Sequence, residues 1–254
     1  MNLQKISSLP LPLAVLKIAG ETFRSILRRK FSFREVMVQT YEFGVGSFGI
    51  ICLCVTFVGI IMMLEYSYHM KLVIQNDSMI PSFAMIMLAR ELAPAITALL
   101  ITSKMGASLA SELAAMKTTE QLDAYRLLGL NPIDLFVSPR VIASAVSNFL
   151  LSMISLFLSV VGGLFAAVTV LSFSTGSFFQ GLFLFVDVWD FVLCGTKAVF
   201  FGASIPIISA TLGFRCGFGA EGVGLSTTDA VVANSIWIII LDFILTYAFS
   251  PLLS

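Results

Sequence analysis

Long apolar runs separated by short polar stretches dominate the chain. The run from Phe43 to Leu64 carries no formal charge, and its length is close to the ~20 residues needed to cross a hydrocarbon core. It predicts a first membrane span over 43–66. A second span is expected over 80–104, interrupted by Arg90, Glu91 and Pro94. From Val141 to Val186 there are 46 uncharged residues, broken by the segment Ser172 to Ser177. That is too long for one crossing, so it predicts a third span over 141–171, an uncharged loop, and a fourth span over 183–214 beginning at Phe183. The fourth carries Asp187, Asp190 and Lys197, with Pro206 as the expected kink. A fifth span is expected over 230–249, with Asp242 inside it.

The polar stretches carry their own periodicity. In the arm 1–35, Lys17, Glu21, Arg24 and Arg28 fall on one face of a helix, with Leu16, Ala19, Phe23, Ile26 and Leu27 turned away. This predicts an interfacial amphipathic helix from Leu13 to Phe31, ending near Lys30; a soluble helix packed on a partner is the other reading. His69, Lys71 and Asp77 mark a polar loop in which the histidine has no companion ligands. In the block 105–140, Thr118 can cap a helix with Gln121 at its third position, and Gly129 and Pro132 supply the stop. Leu122, Ala124, Tyr125 and Leu128 then share a face, and Glu120, Gln121, Asp123 and Arg126 make up the rest. A short two-faced helix between spans suits docking to a soluble partner, while an ordinary loop with a helical turn is the plainer reading. The segment 215–229, with Gly217, Gly219, Glu221, Gly222 and Gly224, predicts a turn-rich connection. Its GxGxxGxG texture lacks a preceding strand, so close backbone packing explains it better than a nucleotide loop.

Composition sharpens this picture to an all-α integral membrane protein. Hydrophobic residues make up 58% of the 254 and charged residues 12%, against about 25% charged in soluble domains. Lys and Arg balance Asp and Glu at 15 each, so no bulk basicity points to nucleic acid. Cys52, Cys54, Cys194 and Cys216 lie in or beside apolar segments without metal or disulfide spacing, as small packed hydrophobes do. The start has no signal-peptide pattern, so the N-terminus is expected to be retained. No GxxxxGK[ST] loop is present, so ATP binding of that kind is not expected here and any nucleotide energy must come from another polypeptide; no catalytic residue, metal or cofactor is expected on this chain either.

Charge placement sets the expected topology. Seven Lys and Arg lie in the N-terminal arm, four from Lys104 to Arg140 and one in the glycine segment, against Lys71 alone on the other side. The bias predicts a cytoplasmic N-terminus and, after five spans, a C-terminus outside. Arg90, Glu91, Lys197 and Asp242 remain within spans, where such groups turn inward and pair or face a hydrated cavity. They are candidates for one site, or for ion pairs that only hold helices together.

The runs RELAPAITALL and ASELAAMKTTEQLDAYRLLGLNPIDLFVSPR, with GAEGVGLSTTDAVVANSIWIIILDFILT near the C-terminus, closely resemble the MlaE-type permease family, the membrane subunits of ABC systems that move phospholipids between bacterial membranes. The chain departs from the family's commonest pattern at Ala93, where Gly is usual, and at Lys104-Met105, which puts fine substrate preference in doubt. The resemblance implies a single permease domain in the bacterial inner membrane with a periplasmic C-terminus. It also implies a homodimer, a bound ABC ATPase that holds the ATP and magnesium, and a ring of MCE-type substrate-binding subunits on the periplasmic side. On this view the Thr118 to Gly129 helix, with Glu120, Gln121, Asp123, Arg126 and Leu128, couples to the ATPase. Glu91 and Lys197, with Arg90 and Asp242, would line a polar cavity for a phospholipid headgroup, and Phe83, Ile96 and Leu100 would receive acyl chains. An ion- or proton-coupled secondary transporter would require a repeat of interrupted helices, and spans one and two do not match four and five. A non-transporting membrane scaffold is the other rival.

Overall fold

The computed structural model describes residues 9–29, 31–73, 79–182, 184–217 and 219–252. Lys30, Asp77 and Phe183, named above, lie outside them. The described residues are all-α with no strand, and five helices are long and apolar enough to cross a membrane. In order, the helices of the described residues are α1 (Leu11–Leu27), α2 (Phe33–Val73), α3 (Ile80–Thr118), α4 (Gln121–Leu127), α5 (Ile133–Thr169), α6 (Thr175–Leu182), α7 (Val188–Arg215) and α8 (Gly219–Phe249). The spans are α2, α3, α5, α7 and α8.

Four of the five spans outrun their expected bounds by a turn or more on at least one side, because a helix does not stop where hydropathy falls; the fourth instead starts at Val188, five residues later than expected. Helix α2 continues on both sides of 43–66 to 41 residues, roughly 60 Å at 1.5 Å per residue, against a core of about 30 Å. His69 therefore lies on this helix and not in a loop, 3.0 Å from Glu65 one turn earlier. Helix α3 runs fourteen residues past Lys104 to Thr118. The fifth span begins at Gly219 and not 230, so Gly219, Glu221, Gly222 and Gly224 occupy its first turns and the expected glycine turn shrinks to the residues just before it. The close packing expected of these glycines is real at one position: a Cβ on Gly222 would sit 2.6 Å from the Gly217 carbonyl oxygen. Within the uncharged stretch after the third span, Thr175–Leu182 forms α6, a helix where a loop was expected, and its Phe178 is buried. Helix α7 runs unbroken from Val188 to Arg215 through Pro206.

Three π turns punctuate the spans, at Leu88–Leu92 and Thr102–Gly106 in α3 and at Ile133–Val137 opening α5. A π turn is rare and gathers at functional positions. Here one carries Arg90 and Glu91, the next Lys104, and the third lies just before Arg140.

Chain contacts divide the protein into two compact units. Unit 1 comprises residues 1–47, 99–147 and 200–239. Its core is built from Ala14 and Ile18 of α1 together with Leu109, Leu113, Leu122, Ile133, Val137 and Phe214. At Gly213 a Cβ would meet Leu113 Cβ and the Ala110 carbonyl oxygen at 2.9 Å, so α7 and α3 pack there backbone to backbone. Helix α1 has three faces: Ala14, Ile18, Thr22 and Ser25 are buried against the unit, Leu13, Leu16, Phe23 and Leu27 are exposed, and the basic positions lie between them. Its exposed apolar face fits an interfacial helix. It stops at Arg29, whose φ of 50° is left-handed.

Unit 2 comprises residues 48–98, 148–199 and 240–254. Its core gathers Met63, Ile80, Leu88, Leu156, Phe178 and Cys194. Gly59 of α2 and Gly162 of α5 each leave no room for a Cβ, Gly59 against the Ser159 backbone and Gly162 against that of Thr56, whereas Gly49 faces open space. Gly59 and Gly162 therefore act as the close-contact glycines that small residues in spans can provide, and Gly49 does not.

Candidate functional site

In unit 2, the π turn of α3 turns Arg90 and Glu91 toward α7 and α8. Lys197 of α7 is fully buried. Its Nζ donates to the Arg90 carbonyl at 2.6 Å and to Glu91 Oε2 at 2.7 Å, and pairs with Asp242 Oδ1 at 2.7 Å. Two of the three ammonium protons are therefore placed, while Asp242 Oδ1 lies within ion-pair distance but accepts no hydrogen bond from the described residues. Glu91 Oε1 accepts from the Thr246 hydroxyl at 3.0 Å, which ties α8 to the same point. Arg90 pairs through Nε with Asp190 Oδ1 at 2.5 Å, and the Asp190 side chain is fully buried. The other oxygen of Asp190 accepts the Asp187 backbone N–H at 2.9 Å, closing the first turn of α7.

All four intramembrane charges named from the sequence thus meet in one network, and Asp190 and Thr246 join it. The sequence signal for Asp190 is its place in the fourth span about two helical turns before Lys197, on the same face. With three carboxylates against two cations the set carries a formal charge of −1. Phe83, half-buried, packs on Phe185 at 5.7 Å between ring centres, and Ile96 is also half-buried in unit 2. Leu100, half-buried too, belongs to unit 1.

The docking helix expected from Thr118 to Gly129 is shorter and starts differently. Thr118 ends α3, and its hydroxyl donates back to the Ala115 carbonyl at 3.0 Å instead of capping a new helix. The chain reverses at Glu120, with φ 59°, and α4 runs from Gln121 to Leu127 without a side-chain cap. Gly129 supplies the stop with φ 77°, and the Leu130 N–H reaches the Tyr125 carbonyl at 3.0 Å, a Schellman closure. Leu122 is buried and Tyr125 meets Phe136 edge to face at 5.4 Å. Leu128 is not on that packed face: it is 75% exposed beside Leu127 at 90%, because α4 ends before the residue that its three-residue spacing would have turned inward. Glu120, Gln121 and Asp123 are exposed, and Arg126 Nη1 donates to Asp123 Oδ1 at 3.0 Å.

A second charged cluster in unit 1 was not singled out from the sequence, where Arg140 read as a flanking charge. Arg140 is 9% exposed. Its Nη2 donates to both carboxylate oxygens of Glu112 at 2.9 and 2.7 Å, and its Nε to Gln39 Oε1 at 3.3 Å. Gln39 Nε2 in turn donates to Glu35 Oε1 at 2.9 Å. The network joins α2, α3 and α5. Nearby in sequence, Lys117 Nζ donates to the Cys216 carbonyl at 2.6 Å, and Lys104 Nζ donates to the Gly46 carbonyl.

Comparison with known proteins places the chain. Residues 36–248 match the family described as Permease MlaE. A probable ABC transporter permease protein of Pyropia yezoensis is 35% identical over 89% of this chain and 86% of its own length. One from Synechocystis is 33% identical over 91% of this chain and 87% of its own. The chloroplastic protein TRIGALACTOSYLDIACYLGLYCEROL 1 of Arabidopsis thaliana is 33% identical over 93% of this chain and 67% of its own length. The chain belongs to the MlaE permease family.

Proposed function

From membership of that family we infer that the chain is the membrane permease of an ABC system moving phospholipids between inner and outer membranes, energised by a separate ATPase that carries the ATP and magnesium. It works as a homodimer in a bacterial inner membrane, with a cytoplasmic N-terminus, a periplasmic C-terminus and an MCE-type ring on the periplasmic side. The relatives' printed names support the ABC assignment, and that of the Arabidopsis protein supports a lipid as cargo.

The observation that carries the reading is the pair Leu127 and Leu128, 90% and 75% exposed at the end of a short helix on the side rich in Lys and Arg. Exposed leucines at the tip of a loop between spans need a partner surface, and an ATPase groove provides one; Glu120, Gln121, Asp123 and Arg126 supply its polar rim. Co-purification tests this. The parent should bring down an ATPase at one-to-one stoichiometry, and Leu127→Ser with Leu128→Ser should lose it while inserting normally. Full retention by the double variant overturns the coupling assignment.

Within unit 2, Glu91, Lys197, Arg90 and Asp242, with Phe83 and Ile96, form the proposed lipid path. The burial of Lys197 between Glu91 and Asp242 favours a second reading, in which these charges hold three helices together. Glu91→Gln separates them: loss of lipid transfer in reconstituted vesicles with the complex intact supports the path, and loss only alongside disassembly supports the scaffold role.

A further inference from the structure

Unit 1 contains a cleft of about 580 Å³, within the range of small-molecule sites. It is lined by both signs of charge: Arg29 and Arg140 on one hand, Glu35, Glu112 and Asp134 on the other. Arg140 is nine-tenths buried, and its Nη1 has no hydrogen-bond partner among the described residues. A buried guanidinium without a full set of acceptors is costly, and its charge in the cleft wall attracts an anion. Guanidinium groups also match phosphate oxygens in geometry. The carboxylates have capacity left as well. Glu35 accepts from Gln39 through one oxygen and Asp134 from Asn131 through one, at 2.9 and 3.3 Å. The second oxygen of each accepts nothing from the described residues.

We propose that this cleft is a resident binding site for a phosphate ester bearing a primary ammonium, the headgroup of an ethanolamine phospholipid. The phosphate meets Arg29 beside the Arg140 guanidinium, and the ammonium meets Glu35 and Asp134. A primary ammonium donates three hydrogen bonds, which suits carboxylates. A quaternary ammonium donates none and is held by aromatic cages, whereas here Tyr125 and Phe136 already pack edge to face on each other. The membrane is the favoured source of the ligand, because Leu135 lines the cleft at 39% exposure and Phe33 and Met37 stand exposed on the adjoining turns of α2. The site does not rest on the transport reading: a chain that moved no lipid would still retain this one, so a failed transfer assay leaves it standing.

Native mass spectrometry of the full chain in detergent, titrated with phosphatidylethanolamine, phosphatidylcholine and phosphatidylglycerol of the same acyl chains, tests the proposal. The ethanolamine lipid should be retained about tenfold better than the choline lipid, the equivalent of one charge-assisted hydrogen bond. Glu35→Gln with Asp134→Asn should bring the two lipids level, and Arg29→Gln should weaken both together. Equal retention of all three lipids by the parent overturns the proposal, as does a preference that survives the double variant. Soluble O-phosphoethanolamine that displaces the lipid mole for mole would transfer the site to a free metabolite and overturn the lipid assignment. Shielding of Glu35 from carboxylate labelling by a co-purified ATPase, but not by added phosphatidylethanolamine, would make the cleft a protein dock and also sink it.

Discussion

Two charged clusters, each at a π turn, solve the same problem to different degrees. In unit 2 the fully buried Lys197 ammonium donates to the Arg90 carbonyl and Glu91 and stands 2.7 Å from Asp242, and Arg90 closes on a fully buried Asp190. In unit 1 Arg140 is nearly as buried, but its chief partner Glu112 has a side chain 42% exposed and one of its own nitrogens goes unanswered. Each cluster leaves an atom unanswered, Asp242 Oδ1 in the first and Arg140 Nη1 in the second, but the first is the more buried and the more closed and the second the more open. A closed set within spans adds little net stability as it stands, yet becomes costly when one member is removed. An open set at a solvent-reached cleft loses less on mutation and keeps capacity for a ligand.

The comparison predicts a ranking. Lys197→Met should be the most damaging change, since it strands Glu91 and Asp242 together, at a cost of about 3–5 kcal/mol. Thermal unfolding of the purified variant in detergent measures this, with Glu91→Gln and Asp242→Asn added in the same chain as the control. The triple variant should recover most of the loss, because neutral groups need no counter-ion; a triple variant as unstable as the single one would mean that packing around Lys197 matters and its charge does not. Arg90→Gln comes next, at about 2–3 kcal/mol, because Asp190 loses its cation but keeps the Asp187 N–H. Arg140→Gln should cost about 1–2 kcal/mol, discounted because water reaches Glu112. If Arg140→Gln proves as harmful as Lys197→Met, the distinction between open and closed clusters fails.

Much of this was readable from residues alone, and what was not has identifiable causes. Five spans follow from hydropathy, and the meeting of Arg90, Glu91, Lys197 and Asp242 follows from the expense of leaving any of them in lipid. Helix ends were obscured because a polar turn such as Glu35, Gln39 and Glu42 extends α2 without changing its hydrogen bonding. Thr118 misled because a threonine hydroxyl serves equally to cap a helix start or to bond back one turn at a helix end, and the left-handed Glu120 decides between these only in three dimensions. The glycines from 217 to 224 carry the composition of a turn, yet Gly219, Gly222 and Gly224 lie within α8, and of these Gly222 alone makes a close backbone approach, to Gly217. Arg140 could not be recognised as a cluster centre, since Glu112 and Gln39 lie 28 and 101 residues away.

The smallest expected effect belongs to Glu112→Gln, and it tests the comparison most finely. Glutamine keeps an acceptor for Arg140 Nη2, so one hydrogen bond survives while the charge attraction is lost. With the Glu112 side chain 42% exposed, that attraction is screened, and the loss should stay within about 1 kcal/mol. A double-mutant cycle with Arg140→Gln isolates the pair, because neighbours in contact are where additivity fails. The corresponding cycle of Glu91→Gln with Lys197→Met should give the larger coupling, on the order of 2–3 kcal/mol, from the buried partner with no access to water. Thermal midpoints of the six variants and parent in one detergent supply both numbers. Equal couplings would show that burial does not separate the two clusters, and that the open oxygen and nitrogen atoms of unit 1 reflect side-chain geometry with no capacity held for a ligand.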